Sequence, residues 1–263
     1  LLSRPASSLE VRAQYPFTRE ELQKALPVAN TVNQWDANSL SLESGFNLAA
    51  HPLFLEGKFT VMGESAMLAC RALGDMTGKR VLDACAAPGG KSAYLSSLMQ
   101  NNIQLTCFEL HSHRKDLLDK TLERLHVSAE TFVKDASEYD ATFESAFDGV
   151  LIDAPCSGLG LLGDKPDIRY SKTDADIVSL VEIQKNILKS CSRYVKPGGL
   201  LVYATCTISR RENEDQLDAF LRDYEEFALE EIPIPISNTG QVQLLPHIHH
   251  TDGFFIARMR RCI

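Results

Sequence analysis

The sequence has no positive charge to spare: 27 Lys and Arg stand against 35 Asp and Glu, for a formal net charge of -8. So acidic a chain cannot hold nucleic acid by overall electrostatics, and such a partner would need a local basic groove. No apolar run approaches the length of a membrane span, and residues 1–16 hold no apolar signal segment, so no membrane is expected and a cytoplasmic location is. The seven cysteines, at positions 70, 85, 107, 156, 191, 206 and 262, make no C-x-x-C pair and are odd in number. That argues against a disulfide frame and a zinc site and suits free thiols in a reducing compartment. There is no internal repeat and no low-complexity tract, and the chain opens on Leu1 rather than methionine, which points to a longer parent polypeptide.

What is present is organised around Arg80-Val-Leu-Asp-Ala-Cys-Ala-Ala-Pro-Gly-Gly-Lys-Ser92: a short apolar run, a sharp turn, and a segment of helical character over 91–99. Gly89 and Gly90 let the backbone approach a ligand closely, and free N–H groups at the helix start favour an anionic group. The stretch reads as a cofactor cradle. It is not G-x-G-x-x-G, so a dinucleotide is disfavoured, nor a P-loop, because Cys85 stands where that motif needs its first glycine. From there strands are expected at 80–84, 104–109, 131–134, 147–153, 200–205, 227–231 and 254–259, and helices at 91–99, 112–125, 174–194 and 212–223. Val150-Leu-Ile152 and Leu200-Leu-Val202 are continuously apolar, as in strands covered on both faces. This pattern predicts a doubly wound α/β domain. Ahead of it, residues 11–14 suit a strand, Thr18 followed by Glu20, Glu21, Leu22 and Leu26 marks a capped helix ending at Pro27, residues 30–52 an irregular or strand-like connection, and 63–73 a helix. The expected organisation is a small α+β domain over 1–60 and the main domain over 61–263. With 44% hydrophobic residues the chain can fill one sizeable core and a small satellite.

Ligands in such a sheet bind beyond the carboxyl ends of its strands. Asp83, Glu109, Asp135 and Asp153 all fall at or just after predicted strand ends, with Glu109 at about the interval from the glycine turn where an acid takes ribose hydroxyls and Asp135 suited to the adenine side. Two thiols share that rim. Cys156 follows Asp153-Ala-Pro, and Cys206 follows Tyr203-Ala-Thr; if their strands are neighbours, ~4.8 Å apart, both face the cradle. Cys70, Cys107 and Cys191, within apolar runs, are expected to be inert core. Lys91 either neutralises a carboxylate of the site or of the cofactor, or is a solvated helix residue. His247, His249, His250 and Asp252 are too crowded for an obvious tetrahedral metal site, so no metal is expected.

Asp83-Ala-Cys-Ala-Ala-Pro-Gly-Gly-Lys91, Asp153-Ala-Pro-Cys-Ser157, Lys165-Pro-Asp-Ile-Arg169, Pro197-Gly-Gly199 and Tyr203-Ala-Thr-Cys206 with Glu212-Asn-Glu214 together resemble the NOL1/NOP2/Sun family of RNA cytosine-C5 methyltransferases, the bacterial Sun/Fmu type above all. The resemblance runs from about Val11 to Phe255. It implies a class I methyltransferase fold, a Rossmann-like, doubly wound, seven-stranded α/β sheet beside a small N-terminal α+β domain. It implies S-adenosyl-L-methionine as cofactor, with Cys85, Ala86, Ala87, Pro88, Gly89, Gly90, Lys91, Glu109, Asp135 and Asp153 at the positions that contact it. It also implies RNA as partner, ribosomal RNA first, and we expect a monomer. Glu109 stands where the family more often has Asp, Gly163-Asp164 where many relatives carry two basic residues, and Met62-Gly-Glu-Ser65 where Gln-Asp-x-Ser is usual. The all-helical RNA-binding domain that precedes this region in many Sun/Fmu proteins does not appear in the sequence, and with the start at Leu1 we read this as truncation or as a shorter family member.

Cytosine C5 is too weak a nucleophile to accept a methyl group unaided, and a thiolate adding to C6 makes it an enamine carbon. The family resemblance assigns that attack to Cys206 and release to Cys156, with Asp153 hydrogen-bonding N3 and the exocyclic amine. The residues alone leave the two thiols interchangeable. They also leave open transfer RNA, another ribosomal site, or a non-catalytic RNA-binding or assembly factor, although the presence of both thiols disfavours the last.

Overall fold

A computed structural model describes residues 9–262 of the chain; the first eight residues of the expected N-terminal domain lie outside it. The N-terminal part contains β1 (Leu9–Ala13), α1 (Arg19–Ala25), β2 (Asn30–Val32), β3 (Ser39–Leu42), α2 (Pro52–Leu55) and β4 (Phe59–Val61). Thr18 caps α1 in a reciprocal box with Glu21, as its sequence signature demands. The stretch expected to be an irregular or strand-like connection supplies β2 and β3, and the strands form an antiparallel sheet of order β2-β3-β1-β4. Val11, Leu22, Leu40, Leu42 and Phe59 are its core.

The main part runs α3 (Glu64–Arg71), β5 (Arg80–Asp83), α4 (Gly90–Leu98), β6 (Gln104–Glu109), α5 (Ser112–Arg124), β7 (Glu130–Val133), β8 (Phe147–Asp153), α6 (Ile168–Ser171), α7 (Asp174–Ser192), β9 (Val195–Thr205), α8 (Glu214–Asp223), β10 (Phe227–Leu229), β11 (Gln241–Leu244), α9 (Pro246–His249) and β12 (Phe254–Arg261). Seven strands form a continuous path, β10-β12-β9-β8-β5-β6-β7, and β11 pairs with β12 as an eighth. Strands β5 to β9 are parallel, and β12 enters antiparallel beside β9.

Alternate residues of each strand feed opposite cores. Val81, Leu151 and Val202 pack with Met67, Tyr94 and Leu118 on one face. Leu82, Val150 and Leu201 pack with Leu188, Leu217 and Phe220 on the other. The chain turns one way from β5 through β6 to β7 and then the other way through β8 to β9. The crevice therefore opens where β5 and β8 adjoin.

Strand β9 begins five residues before the expected Leu200. Residues 196–199 bulge between the Phe147–Val195 and Gly149–Leu200 pairs, so Pro197-Gly-Gly interrupts the ladder without ending the strand.

The two sheets are joined by buried polar groups. Asp36 accepts from Arg71 Nε at 2.5 Å and Tyr94 Oη at 2.6 Å. Arg12 is wholly buried, donating to Gln14 Oε1 at 2.7 Å and Ala13 O at 3.1 Å, with its guanidinium 4.9 Å from the Tyr94 ring centroid. Desolvation lowers its pKa to about 10. Arg12→Ala is expected to cost about 2–4 kcal/mol, from a cavity and stranded acceptors. Arg12→Met, which refills the space with apolar atoms, should recover most of that loss. Urea denaturation of the two variants checks the difference.

Candidate active site

The cradle is held by its neighbours in the sheet. Ala84 N donates to Leu151 O and Ala86 N to Phe108 O, each at 2.9 Å, which ties the turn to β8 and β6. Gly89 closes it at φ 105°, a conformation that costs a side-chain-bearing residue. Ser92 Oγ donates to the buried Asp83 Oδ2 at 2.6 Å, fastening α4 to the end of β5; burial nevertheless raises the Asp83 pKa to about 6. Arg114 Nη2 donates to Ala87 O at 3.0 Å, a clamp that sequence reasoning missed.

Glu109 ends β6 and accepts from His111 N at 3.0 Å and Arg114 at 3.4 Å, both through Oε1. Asp135, beyond β7, accepts from Ser137 N at 2.8 Å and Ser137 Oγ at 2.6 Å, both through Oδ1. Each carboxylate thus keeps a second oxygen for a ligand. Lys91, whose role the sequence left open, pairs with Asp153 at 2.6 Å and lies 5.7 Å from the Phe254 ring centroid. Burial pulls the Lys91 ammonium down, but the Asp153 carboxylate outweighs it and holds the pKa above the ordinary lysine value.

The two thiol-bearing strands are neighbours, with Asp153 opposite Ala204. Cys156 and Cys206 consequently stand with their sulfurs 3.3 Å apart, both half-buried. Their acidities diverge. The contact with the Cys156 sulfur lowers the Cys206 pKa against burial and the Asp153 charge, which oppose it, and Lys91 adds a smaller lowering. The same contact and burial push Cys156 well up. These directions favour a thiolate at Cys206 over one at Cys156. Burial raises the Cys85 thiol well above the ordinary range, along with the core thiols of Cys70, Cys107 and Cys191.

The loops bearing these groups meet at a point only glycine can occupy. Gly160 N donates to Cys206 O and Gly253 N to Gly160 O, each at 3.0 Å. A Cβ on Gly160 would lie 1.8 Å from Gly253 O and 2.8 Å from Cys206 O. The His247–Asp252 stretch forms α9 and its turn, where His249 Nδ1 accepts from Leu245 N at 2.9 Å and Trp35 Nε1 donates to His249 O at 2.7 Å. Among the described residues no group of three or more His, Cys, Asp or Glu is arranged to hold a metal ion, and no helix is long and apolar enough to cross a membrane.

Five parallel strands, an antiparallel strand inserted beside the fifth, and a cradle after the first define the class I methyltransferase fold. The profile of the family described as 16S rRNA methyltransferase RsmB/F matches residues 71–260, and the chain belongs to that family. It is 42% identical over 226 residues to the probable ribosomal RNA small subunit methyltransferase B of Bacillus subtilis, covering 81% of this chain and 50% of that protein. It is 37% identical over 224 residues to ribosomal RNA small subunit methyltransferase B of Shewanella oneidensis, covering 84% and 52%. The chain thus spans about half the length of the curated relatives it matches. The solved structure of PH0851 superposes with a TM-score of 0.93 at 30% identity, over 98% of this chain and 60% of that one. NSun6 from Pyrococcus horikoshii, solved with SFG, shares the fold with a TM-score of 0.88 at 20% identity, over 100% and 92%.

S-adenosylmethionine is the cofactor of this family. The residues present fit it: a glycine turn at the start of α4, and two carboxylates at successive strand ends, each with one oxygen engaged and one free.

The thiol pair makes a direct prediction. Iodoacetamide should label Cys206 before Cys156 as pH rises, read by peptide mass spectrometry. In Cys156→Ala the pH of half-maximal Cys206 labelling should move up, because the hydrogen bond that favours its thiolate is gone.

Proposed function

We propose that the chain is the catalytic part of an enzyme that methylates C5 of a cytosine in 16S ribosomal RNA, with Cys206 as nucleophile and Cys156 as the group that releases product. The observation that carries this reading is the thiol pair: sulfurs 3.3 Å apart, of opposite pKa direction, at the ends of neighbouring strands beside the cradle. In this reading Cys85, Ala86, Ala87, Pro88, Gly89 and Gly90 line the cofactor site with Lys91, Glu109, Asp135 and Asp153. S-adenosylmethionine supplies an electrophilic methyl group there. Of the described residues, 9–60 belong in this reading to the small domain and 61–262 to the catalytic one.

The Cys206 thiolate adds to C6 and pushes electron density to C5. Asp153, held by Lys91, accepts from the exocyclic amine, and the Lys91 ammonium paired with it offsets the negative charge that develops at N3. The base must leave its stack to reach the thiols, which favours an unpaired site in the RNA. After C5 is methylated, its proton must be removed before the Cys206 sulfur can leave C6. Cys156 is protonated chiefly because of its hydrogen bond to Cys206 and its burial, and partly because of the charge on Cys206. Once that sulfur is bonded to carbon, the hydrogen bond and the charge weaken, and Cys156 can lose its proton and serve as the base.

Incubated with cofactor and 16S ribosomal RNA, Cys156→Ala should stall as a covalent complex, seen as a slow band on a denaturing gel. Cys206→Ala should bind both ligands and give no such band. The opposite pattern would reverse the assignment. Bisulfite sequencing of ribosomal and transfer RNA from a deletion strain identifies the RNA, and loss of a transfer RNA mark alone would contradict the ribosomal reading.

Glu109→Ala should weaken S-adenosylmethionine binding at least tenfold by calorimetry, about 1.4 kcal/mol, through loss of the free carboxylate oxygen. Unchanged affinity would remove Glu109 from the cofactor site.

A further inference from the structure

Glu212 follows the second thiol loop, on the turn that leads into α8, and is fully buried. Its Oε1 accepts from Ser157 N at 2.8 Å and Gln184 Nε2 at 3.1 Å. Its Oε2 accepts from Ser157 Oγ at 2.6 Å and Thr207 Oγ1 at 3.3 Å. The two hydroxyls are themselves 2.8 Å apart. Ser157 directly follows Cys156, and Thr207 directly follows Cys206. One carboxylate therefore grips the residues next to both thiols.

The turn that carries it is also fixed. Tyr203 Oη donates to Glu212 O at 2.7 Å, Asn213 Nδ2 to Thr207 O at 3.1 Å, and Thr205 Oγ1 to Asn213 Oδ1 at 2.6 Å. Burying a carboxylate is expensive unless donors meet it on every side. Four donors meet this one, and three of them belong to the two thiol loops. An apolar side chain would fill the same space without fixing either loop.

We propose that Glu212 is the positioning residue that sets the spacing of Cys156 and Cys206, and with it the transfer of duty from the attacking thiol to the releasing one. The proposal rests on the thiol roles given above. It places no demand on Glu212 to touch substrate or cofactor.

Glu212→Gln keeps one carbonyl oxygen for the Ser157 N–H and replaces the other acceptor with an amide that must reorganise the two hydroxyls. In the full chain it should fold and bind S-adenosylmethionine as before. Its turnover number on 16S ribosomal RNA should fall about tenfold with KM little changed, and the covalent band on a denaturing gel should grow because release is slowed. With no RNA present, the pH of half-maximal Cys206 labelling by iodoacetamide should move up towards that of Cys156→Ala, because the sulfurs no longer keep their hydrogen bond. A merely structural carboxylate would not move that profile. An unchanged labelling profile in a folded Glu212→Gln protein overturns the proposal, whatever the turnover. If that variant does not fold, Ser157→Ala, which removes only the hydroxyl arm on the Cys156 side, must shift the labelling in the same direction or the proposal fails. The labelling readout needs no RNA, so a failed thiol assignment, seen as an adduct on Cys206→Ala, remains distinguishable from a failed role for Glu212.

Discussion

The site depends on the parallel pairing of β8 with β9 in the register that sets Asp153 against Ala204. Side chains alternate along a strand, so a slip of one residue would turn every apolar residue of β9 to the wrong core and carry Cys206 away from Cys156. The register is protected because both faces are buried: Leu201 and Tyr203 go to one core, Val202 and Ala204 to the other. The bulge over residues 196–199 absorbs the irregular Pro-Gly-Gly upstream and leaves the ladder regular where it approaches the thiols. Packing far from the chemistry thus brings the two thiol loops side by side.

Electrostatics then distinguishes two chemically identical groups. Lys91 reaches from the start of α4 to Asp153 and favours negative charge near Cys206, while Asp153 opposes it. The contact between the sulfurs favours the charged form at Cys206 and the neutral form at Cys156. Neither cysteine would be special alone in its loop. The cradle contributes the cation, β8 the carboxylate, and two loops the sulfurs, so each property of the site belongs to an arrangement of at least three chain segments.

Much of this was legible in the residues. The bounds of β6 and β8 match those expected, each strand ending on an acid, and within β8 Val150-Leu-Ile152 is continuously apolar as a strand covered on both faces should be. The Thr18 box placed α1. Strand β11 was not visible, since Gln241-Val-Gln-Leu244 is half polar and becomes a strand only by pairing with β12. The N-terminal sheet was underread for a similar reason: β2 and β4 are three residues long, and β4 gains its hydrogen bonds from β1, some 48 positions earlier in the chain. At the site, the acids and thiols stood at strand ends, but that the two sulfurs would lie 3.3 Å apart was not visible in the residues. Glu212 could be seen as part of a Glu-Asn-Glu run, and nothing local linked it to Ser157, whose partner it is across 55 positions of chain.

The place of β12 sets an order of assembly. It follows every other strand in the chain, yet it lies inside the sheet, between β9 and β10, and Gly253 just before it completes the backbone knot with Gly160 and Cys206. As the polypeptide emerges during synthesis, the cradle and both cysteines appear well before this strand. Until it inserts, β9 is an open edge and the second thiol loop lacks one of its anchors. The lock that joins the two thiol loops is thus made by the last of the described strands, so the reactive centre is complete only when the sheet is closed.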